Sequence, residues 1–263
     1  MNRIEKRMKE LTDNHEKAFI TYITAGLPSM EATKEIVKAQ LGSTDVIELG
    51  IPFSDPIADG PVIQQASYEA ICNGASLKKT FALMEEMRSE GIETPIVFMM
   101  YYNTISSMGL KAFAAKCKET GVDGLIVPDL PLEEQDGLKE ALAEYDATIL
   151  IQLVSPVSRG RVSKIVKDAR GFIYCVSSMG VTGQAADFHR EVINYLKDVK
   201  EKASIPVMMG FGIRTAKDIE PMKDIIDGAI VGSHFINLLR ENDFNVNAVR
   251  EYTSTFKKEL CEK

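Results

Sequence analysis

The sequence predicts an α/β protein in which eight parallel strands close into a barrel with helices on its outside. Short, almost continuously apolar segments recur eight times along the 263 residues. Amphipathic segments of helical length separate them, an alternation typical of right-handed βαβ units. The first of these strands is followed by Ala-Gly-Leu-Pro-Ser, which lacks the Gly-rich fingerprint of a doubly wound nucleotide-binding sheet. Eight units in a chain of this length therefore favour a closed barrel.

Each predicted strand is apolar on both faces, as expected for parallel strands that are covered on both sides. In chain order the predicted strands are Phe19–Thr24, Asp45–Leu49, Pro95–Met100, Asp123–Val127, Thr148–Leu153, Phe172–Val176, Pro206–Met209 and Gly228–Val231. The pattern thus supplies all eight strands of the barrel.

The predicted helices rest on apolar residues spaced three and four apart and on start signals such as Ser29 after Pro28. They are Ser29–Gln40, Leu77–Glu90, Leu132–Tyr145, Ser158–Ala169, Glu191–Lys202, Thr215–Lys223 and Asn247–Cys261. We expect Met1–Asn14 to form an extra helix that plugs the bottom of the barrel. A short helix is expected after the eighth strand. No low-complexity segment or Pro/Ser linker interrupts the chain, so residues 1–263 are expected to be one domain.

Composition excludes several functional classes. The formal net charge is −7, which argues against a nucleic-acid or anionic-membrane partner. No apolar run approaches the ~18 residues of a membrane span, and the charged N-terminus does not resemble a signal peptide. The four cysteines form no Cys-x-x-Cys pair, so we expect a reduced, cytoplasmic setting with neither a disulfide framework nor a zinc site.

The active site of a parallel barrel lies at the carboxyl ends of its strands. Glu48 interrupts the apolar second strand there, and it shares a strand face with Val46. A carboxylate in that position is desolvated, which raises its pKa and suits it to acid/base work. Position alone leaves open a buried glutamate that the backbone or a lysine satisfies. The following loop adds Asp55 and Asp59, of which Asp59, in a compact Ala-Asp-Gly-Pro turn, is the harder to dismiss as an ordinary turn residue.

Glycines at the ends of the last two strands predict a phosphate site. The seventh strand ends in Gly210-Phe-Gly212-Ile, and the eighth ends in Val-Gly232-Ser233 before the short helix. Glycines permit close backbone approach, and amides at a helix N-terminus favour an anion. Phosphate sites at this place, with a short extra helix, recur in this fold.

Other candidates are weaker. Ser177–Gln184, after the sixth strand, contains two glycines and Thr182, which indicates either a loop that closes over a substrate or an ordinary surface loop. The three histidines show no metal-ligand spacing, so no metal is expected. No lysine lies at a strand end, which counts against a Schiff-base aldolase.

The string ELGIPFSDPIADGPVIQ (Glu48–Gln64) closely resembles the signature of the tryptophan synthase α-chain family. The resemblance extends over essentially the whole chain through FITYITAGLPS, MMYYN, VPDLP, SSMGVTG, GFGI and VGS. It implies a TIM barrel that splits indole-3-glycerol phosphate into indole and glyceraldehyde 3-phosphate. Another barrel enzyme, such as a phosphoribosyl isomerase or indole-glycerol-phosphate synthase, would leave the Glu48–Gln64 string unexplained.

The resemblance also implies roles for individual residues. Glu48 matches the family's acid/base, and Asp59 matches the carboxylate that accepts the indole N–H. The positions that match the indole pocket and its closing loop are Tyr22, Tyr101, Tyr174 and Thr182. The positions that match the phosphate site are Gly183, Gly212, Gly232 and Ser233. Tyr22 stands where phenylalanine is common in the family, which bears on the polarity of the pocket.

The resemblance implies a partner as well. The family works as an α2β2 complex in which the β chain carries pyridoxal phosphate and receives indole, whereas the α chain has no cofactor. The expected contact surface comprises Pro52–Pro56 and Asn103–Met108. Two alternatives remain open: a stand-alone indole-3-glycerol-phosphate lyase, and a non-catalytic barrel that activates a partner.

Overall fold

A computed structural model describes residues 1–176, 185–210 and 212–262 of the chain. Its sheet contains only parallel strand pairs. The strands are β1 (Ala18–Thr24), β2 (Val46–Gly50), β3 (Ile96–Met99), β4 (Gly124–Ile126), β5 (Ile149–Leu150), β6 (Gln152–Val154), β7 (Ile173–Val176), β8 (Val207–Gly210) and β9 (Gly228–Val231). All eight predicted strands are present.

The ninth strand arises because the predicted fifth strand is divided at Ile151. Its first half, β5, pairs with β4, and its second half, β6, pairs with β7. The sheet order is β5-β4-β3-β2-β1-β9-β8-β7-β6, so β5 and β6 are its two edges. Because one short segment carries both edges, it closes the sheet into the predicted eight-stranded (β/α) barrel.

Eleven α-helices occur in the described part of the chain. They are α1 (Arg3–Asp13), α2 (Met30–Ala39), α3 (Pro61–Cys72), α4 (Leu77–Ser89), α5 (Tyr102–Met108), α6 (Leu110–Thr120), α7 (Asp136–Ala143), α8 (Val162–Val166), α9 (Ala185–Lys202), α10 (Ser233–Glu241) and α11 (Val246–Cys261). Three 3₁₀ helices cover Leu132–Glu134, Pro156–Arg161 and Ala216–Met222. None of the helices in these described ranges is long and apolar enough to cross a membrane.

Helices α3, α5 and α6 were not anticipated from the sequence. The buried face of α3 is made of Ala66, Ser67 and Ala70, and such small side chains give a weak apolar period. The predicted helix Thr215–Lys223 was wrong in type, because the segment forms a 3₁₀ helix with Pro221 inside it. Proline has no N–H for an α-helical bond.

The bottom of the barrel is closed by α1, as the sequence predicted. Ile4, Met8 and Leu11 on this helix form one buried cluster with inward residues of the strands. Asn2 caps the helix by accepting the Glu5 amide, and its side chain also donates to the Asp123 carbonyl at 2.8 Å. The plug is therefore fixed to the strand starts by packing and by hydrogen bonds.

Three aspartates at strand starts join neighbouring strands at this closed end. The carboxylate of each aspartate accepts the amide of one residue on the neighbouring strand, and a backbone amide–carbonyl bond accompanies each of these contacts. The carboxylate bonds are Phe19 to Asp45 (2.6 Å), Ile96 to Asp123 (2.8 Å) and Val207 to Asp227 (2.7 Å). In each pair the aspartate amide donates back to the carbonyl of the same residue, at 2.8 to 3.0 Å. We call these pairs the aspartate clamps.

Candidate active site

Glu48 lies on the inner face of β2, at the open end of the barrel. Val46, two residues earlier, belongs to the interior cluster, so the predicted shared face is confirmed. The Glu48 side chain is 0% exposed, and neither carboxyl oxygen has a hydrogen-bond partner among the described residues. Burial raises its pKa to about 8. Glu48 is therefore largely protonated at neutral pH, and no described group accepts a hydrogen bond from it.

Tyr22 is the neighbour of Glu48 on β1, since the two residues are paired in register. Its buried hydroxyl accepts a hydrogen bond from Thr24 at 3.4 Å. A Cβ atom at Gly50, the last residue of β2, would collide with this hydroxyl. Gly50 is thus needed to admit Tyr22 beside Glu48.

Tyr174 lies on β7, which is on the opposite side of the barrel from β2. A Cβ atom at Gly210 would lie 2.7 Å from the ring and the hydroxyl of Tyr174, so the ring crosses the end of β8. The pKa of Tyr174 is raised well above its ordinary value by burial first and then by the charges of Glu48, Tyr22 and Asp59. Glu48 therefore has a tyrosine on each side at the open end of the barrel, and we call these three residues the candidate pocket.

Asp59 lies above this pocket in the loop between β2 and α3. The hydroxyl of Tyr101 donates to Asp59 Oδ2 at 3.2 Å and accepts the Ala58 amide at 2.9 Å. Burial raises the pKa of Asp59 to about 6, and the Tyr101 hydrogen bond opposes that rise. Asp59 is therefore largely ionised at neutral pH, whereas Glu48 is largely protonated.

Two of the predicted phosphate residues, Gly232 and Ser233, lie at the N-terminus of α10. Gly212 adopts a positive φ of 61°, a conformation that favours glycine, and it is exposed. Gly232 is the residue before α10, and Ser233 begins this nine-residue helix. The first amides of a helix have no partner within it and favour an anion. A Cβ atom at Gly232 would lie 3.7 Å from Tyr22 Cβ, which places this helix start beside the pocket.

The structure thus brings together most of the predicted site residues. Burial raises the pKa of Tyr22, and the charges of Asp59, Glu48 and Tyr101 contribute, so these groups surround one space. Thr182 and Gly183 lie outside the described residues. In the described ranges no three His, Cys, Asp or Glu side chains are grouped to hold a metal ion, and the metal-free site stays a prediction.

Sequence reasoning did not anticipate how three residues shape the site, although it had placed Gly210 among the glycines of the phosphate site. Gly50 and Gly210 admit the two tyrosine rings, and Phe53 stacks on Tyr101 with ring centroids 5.0 Å apart. The signal for Gly50 was available, because glycine at the end of an apolar strand often marks a close approach of another group. Phe53 gave no such signal, because its partner lies far away in the chain.

Comparison with known proteins identifies the family. The profile of the tryptophan synthase alpha chain family matches residues 8–262. The chain is 58% identical to the tryptophan synthase alpha chain of Lachnospira eligens over 262 residues, which is 99% of each chain. It is 41% identical to that of Bacillus subtilis over 227 residues, covering 86% of this chain and 85% of the relative.

Solved structures agree with these relatives. Tryptophan synthase subunit alpha from Legionella pneumophila superposes with a TM-score of 0.88 at 33% identity, covering 99% of this chain and 98% of that one. A chain of tryptophan synthase from Mycobacterium tuberculosis also gives 0.88, at 31% identity, with 100% of this chain and 99% of that chain covered. The chain therefore belongs to the tryptophan synthase α-chain family and is a lyase of tryptophan biosynthesis that cleaves indole-3-glycerol phosphate to indole and glyceraldehyde 3-phosphate.

Proposed function

We propose that Glu48 and Asp59 divide the chemistry of this cleavage between them. The observation that carries the proposal is the Glu48 carboxyl group, which is fully buried at the barrel mouth and has no partner among the described residues. A buried polar group without a partner costs free energy, so its retention points to a task in the reaction. Glu48 is accordingly the acid/base.

The reaction requires one proton to be given and one to be taken. Protonated Glu48 gives its proton to the indole ring carbon that bears the glycerol chain, which makes the ring nitrogen cationic. The resulting carboxylate takes the proton of the adjacent side-chain hydroxyl. The bond between ring and chain then breaks, its electrons return to the ring, and the hydroxyl carbon becomes the aldehyde. Glu48 ends the cycle protonated, as it began.

Asp59 has the complementary task. An ionised carboxylate beside the indole nitrogen accepts its N–H and stabilises the positive charge that develops there. The environments of the two carboxyl groups support this division, since their pKa values are raised to about 8 and about 6. Two carboxyl groups with separate roles need such different environments.

The remaining residues position the substrate. Tyr22, Tyr101 and Tyr174 would enclose the indole ring, and the amides near Gly212, Gly232 and Ser233 would hold the phosphate. Thr182 and Gly183 would complete the site from the loop after β7, with the threonine ordering the carboxylates. The proposal gains support from the pocket geometry, because the start of α10 lies next to Tyr22.

Replacing Glu48 with glutamine tests the assignment. Glu48→Gln keeps the shape of the side chain but removes its titratable proton, and we expect indole release from indole-3-glycerol phosphate to fall by at least about 10²-fold, within the range for a general acid/base. Binding of glyceraldehyde 3-phosphate, measured by calorimetry, should survive. Asp55→Asn is the matched control when the chain is assayed without a β chain, because Asp55 is an exposed carboxylate of the same loop bonded to Ser54. Near-normal turnover of Glu48→Gln would remove Glu48 from the mechanism.

We also propose that the chain works with a β chain in an α2β2 complex, with pyridoxal phosphate in that partner and no cofactor of its own. The expected surface, Pro52–Pro56 and Asn103–Met108, includes or adjoins apolar side chains that face solvent: Ile57 is 85% exposed and Met108 is 39% exposed. The first segment belongs to the loop that carries Asp59, and the second follows Tyr101, so a partner there would sit next to the chemistry.

Indole release with and without a β chain separates this proposal from the two alternatives. Strong activation by the β chain supports the α-subunit proposal. Full activity of the isolated chain supports a stand-alone lyase, and no activity in either state supports a non-catalytic barrel.

We further propose one domain over residues 1–263, since Phe256 of α11 stacks on Phe19 of β1 with the ring centroids 4.2 Å apart. A cytoplasmic setting accords with the free thiols of the four cysteines.

A further inference from the structure

We propose that Tyr101 is the positioning residue for Asp59, and that its hydroxyl, rather than its ring alone, is required for the cleavage. This inference deepens the proposed function and rests on the role given there to Asp59. A carboxylate that stabilises a developing charge must already be in place when the charge appears. Asp59 lies in a long loop, so something outside the loop has to hold it.

The Tyr101 hydroxyl joins two consecutive residues of this loop. It accepts the Ala58 amide at 2.9 Å and donates its own proton to Asp59 Oδ2 at 3.2 Å. The accepted bond fixes the direction of the hydroxyl lone pair, which leaves the proton aimed at the carboxylate. The geometry therefore sets both the position of the loop backbone and the orientation of the Asp59 side chain.

The ring of Tyr101 holds the other end of the same loop. It stacks on Phe53 with the ring centroids 5.0 Å apart and the planes at 21°. Stacked aromatic pairs add about 0.5–1.5 kcal/mol to the burial of their area. Tyr101 thus contacts the loop at its beginning through its ring and near its end through its hydroxyl.

The residues on either side of Tyr101 in the chain are hydrogen-bonded to other parts of the barrel. The amide of Met100 donates to the Ile126 carbonyl at 3.0 Å, which continues the pairing of β3 with β4. The amide of Tyr102 donates to the Asp129 carboxylate at 2.9 Å, where α5 begins. A side chain that a rigid element anchors in this way can in turn hold a loop in one conformation.

No other described side chain competes for this role. Among the described residues, the one further side chain that bonds to Asp59 is Gln64, which donates to the Asp59 carbonyl at 2.9 Å. That bond steadies the backbone of the loop but leaves the carboxylate untouched. Within the described part of the chain, the Tyr101 hydroxyl is therefore the group that orients the Asp59 carboxylate.

Tyr101→Phe is the direct test, since it keeps the ring and its stacking on Phe53 while it removes both hydroxyl bonds. We expect kcat for cleavage of indole-3-glycerol phosphate by the full chain to fall by about tenfold or more, with a smaller change in KM. The acidic limb of the pH profile of kcat/KM should also move to higher pH, because Asp59 loses the donor that lowers its pKa. Tyr145→Phe is the control, because Tyr145 is a half-buried tyrosine next to Lys118, far from the loop in the chain. An unchanged rate and profile for Tyr101→Phe would overturn the inference.

A double-mutant cycle distinguishes positioning from general damage to the fold. If Tyr101 acts through Asp59, then Tyr101→Phe should cost nothing further in an Asp59→Asn background, because the group it positions has lost its charge. Equal fold-losses in both backgrounds would assign Tyr101 a separate role and overturn the inference. A near-normal rate for Asp59→Asn alone would instead refute the role that the proposed function gives to Asp59.

Discussion

Two ends of the same barrel bury carboxyl groups in opposite ways. At the closed end, Asp123 accepts the Ile96 amide at 2.8 Å and pairs with Arg88 at 2.6 Å and with Arg3 at 3.2 Å. At the open end, Glu48 is buried at least as deeply, and no described residue bonds to either of its oxygens. The two carboxyl groups therefore differ in the number of their described partners rather than in the depth of their burial.

The difference has an energetic reason. A buried charge is tolerated when ion pairs and amides replace the water it has lost, and Asp45 repeats the arrangement with Arg7, Lys257 and the Phe19 amide. Glu48 avoids the cost by keeping its proton, which is why burial raises its pKa to about 8. At the closed end the Arg88 and Arg3 charges and the Ile96 amide oppose the rise that burial causes in the pKa of Asp123, whereas no described group opposes that rise at Glu48.

The largest expected effect belongs to the closed end. Asp123→Ala leaves Arg88, whose side chain is only 11% exposed, without its carboxylate and removes a clamp between β3 and β4. We expect the free energy of unfolding to fall by about 3–5 kcal/mol, the usual loss for a broken buried pair. Urea unfolding followed by circular dichroism measures it. Glu69→Ala, which breaks the more exposed pair with Arg240, is the control and should cost below about 1 kcal/mol. Equal losses in the two variants would erase the contrast between buried and surface pairs.

Replacing Glu48 at the open end should raise the free energy of unfolding, by less than Asp123→Ala lowers it. The pKa of Glu48 is raised in the folded state from an ordinary 4.5 to about 8, so the folded protein holds the extra proton between these values and loses stability as pH rises through them. The Glu48→Gln variant does not titrate at this position. Its free energy of unfolding, relative to that of the wild type, should therefore rise by on the order of 2–3 kcal/mol between about pH 6 and about pH 8.5. Unfolding curves of both proteins at these two pH values test this. A constant difference between them would show that Glu48 does not titrate in this range.

The smallest expected effect is on the pH dependence of the reaction. Under the proposed mechanism, cleavage needs Glu48 protonated and Asp59 ionised, so kcat/KM should form a bell with limbs near pH 6 and pH 8. Beyond each limb the rate should fall about tenfold per pH unit, which corresponds to about 1.4 kcal/mol. Initial rates of indole release, taken from about pH 5 to about pH 9, give the curve. A profile that stays flat across the upper limb would contradict the assignment of Glu48 as the acid.

The sequence predicted the fold well because the barrel is built from local patterns. Each strand is an apolar run, and even the inward face of Glu48 follows from its spacing to Val46. The helix α3 was missed because its buried face consists of small residues, which reduces the apolar signal on which helix prediction depends. The 3₁₀ helix at Ala216–Met222 was missed because the chain there satisfies the predicted spacing while Pro221 forbids the α-helical bond.

The site was predictable in its residues but not in its connections. Resemblance to the family supplied Asp59 and Tyr101 as separate positions, while the hydrogen bond between them joins residues 42 apart in the chain. No periodic pattern reports such a contact. The contrast between Asp123 and Glu48 was equally hidden, because both are acidic residues within or next to an apolar strand, and only their neighbours in space tell them apart.

The aspartate clamps also show how the closed end of the barrel is held together. Asp45, Asp123 and Asp227 stand immediately before β2, β4 and β9, which are the second, fourth and eighth strands of the barrel. The corresponding place in the sixth strand, just before the inward-facing Phe172, is taken by Gly171, which has a positive φ of 74° and no side chain to form the bond. A Cβ atom at Gly171 would lie 2.7 Å from the Ile149 side chain and 3.1 Å from Ile4 of α1, so this position leaves no room for an aspartate. The closed end is therefore joined by hydrogen-bonded clamps at three of these positions and by packing against α1 at the fourth.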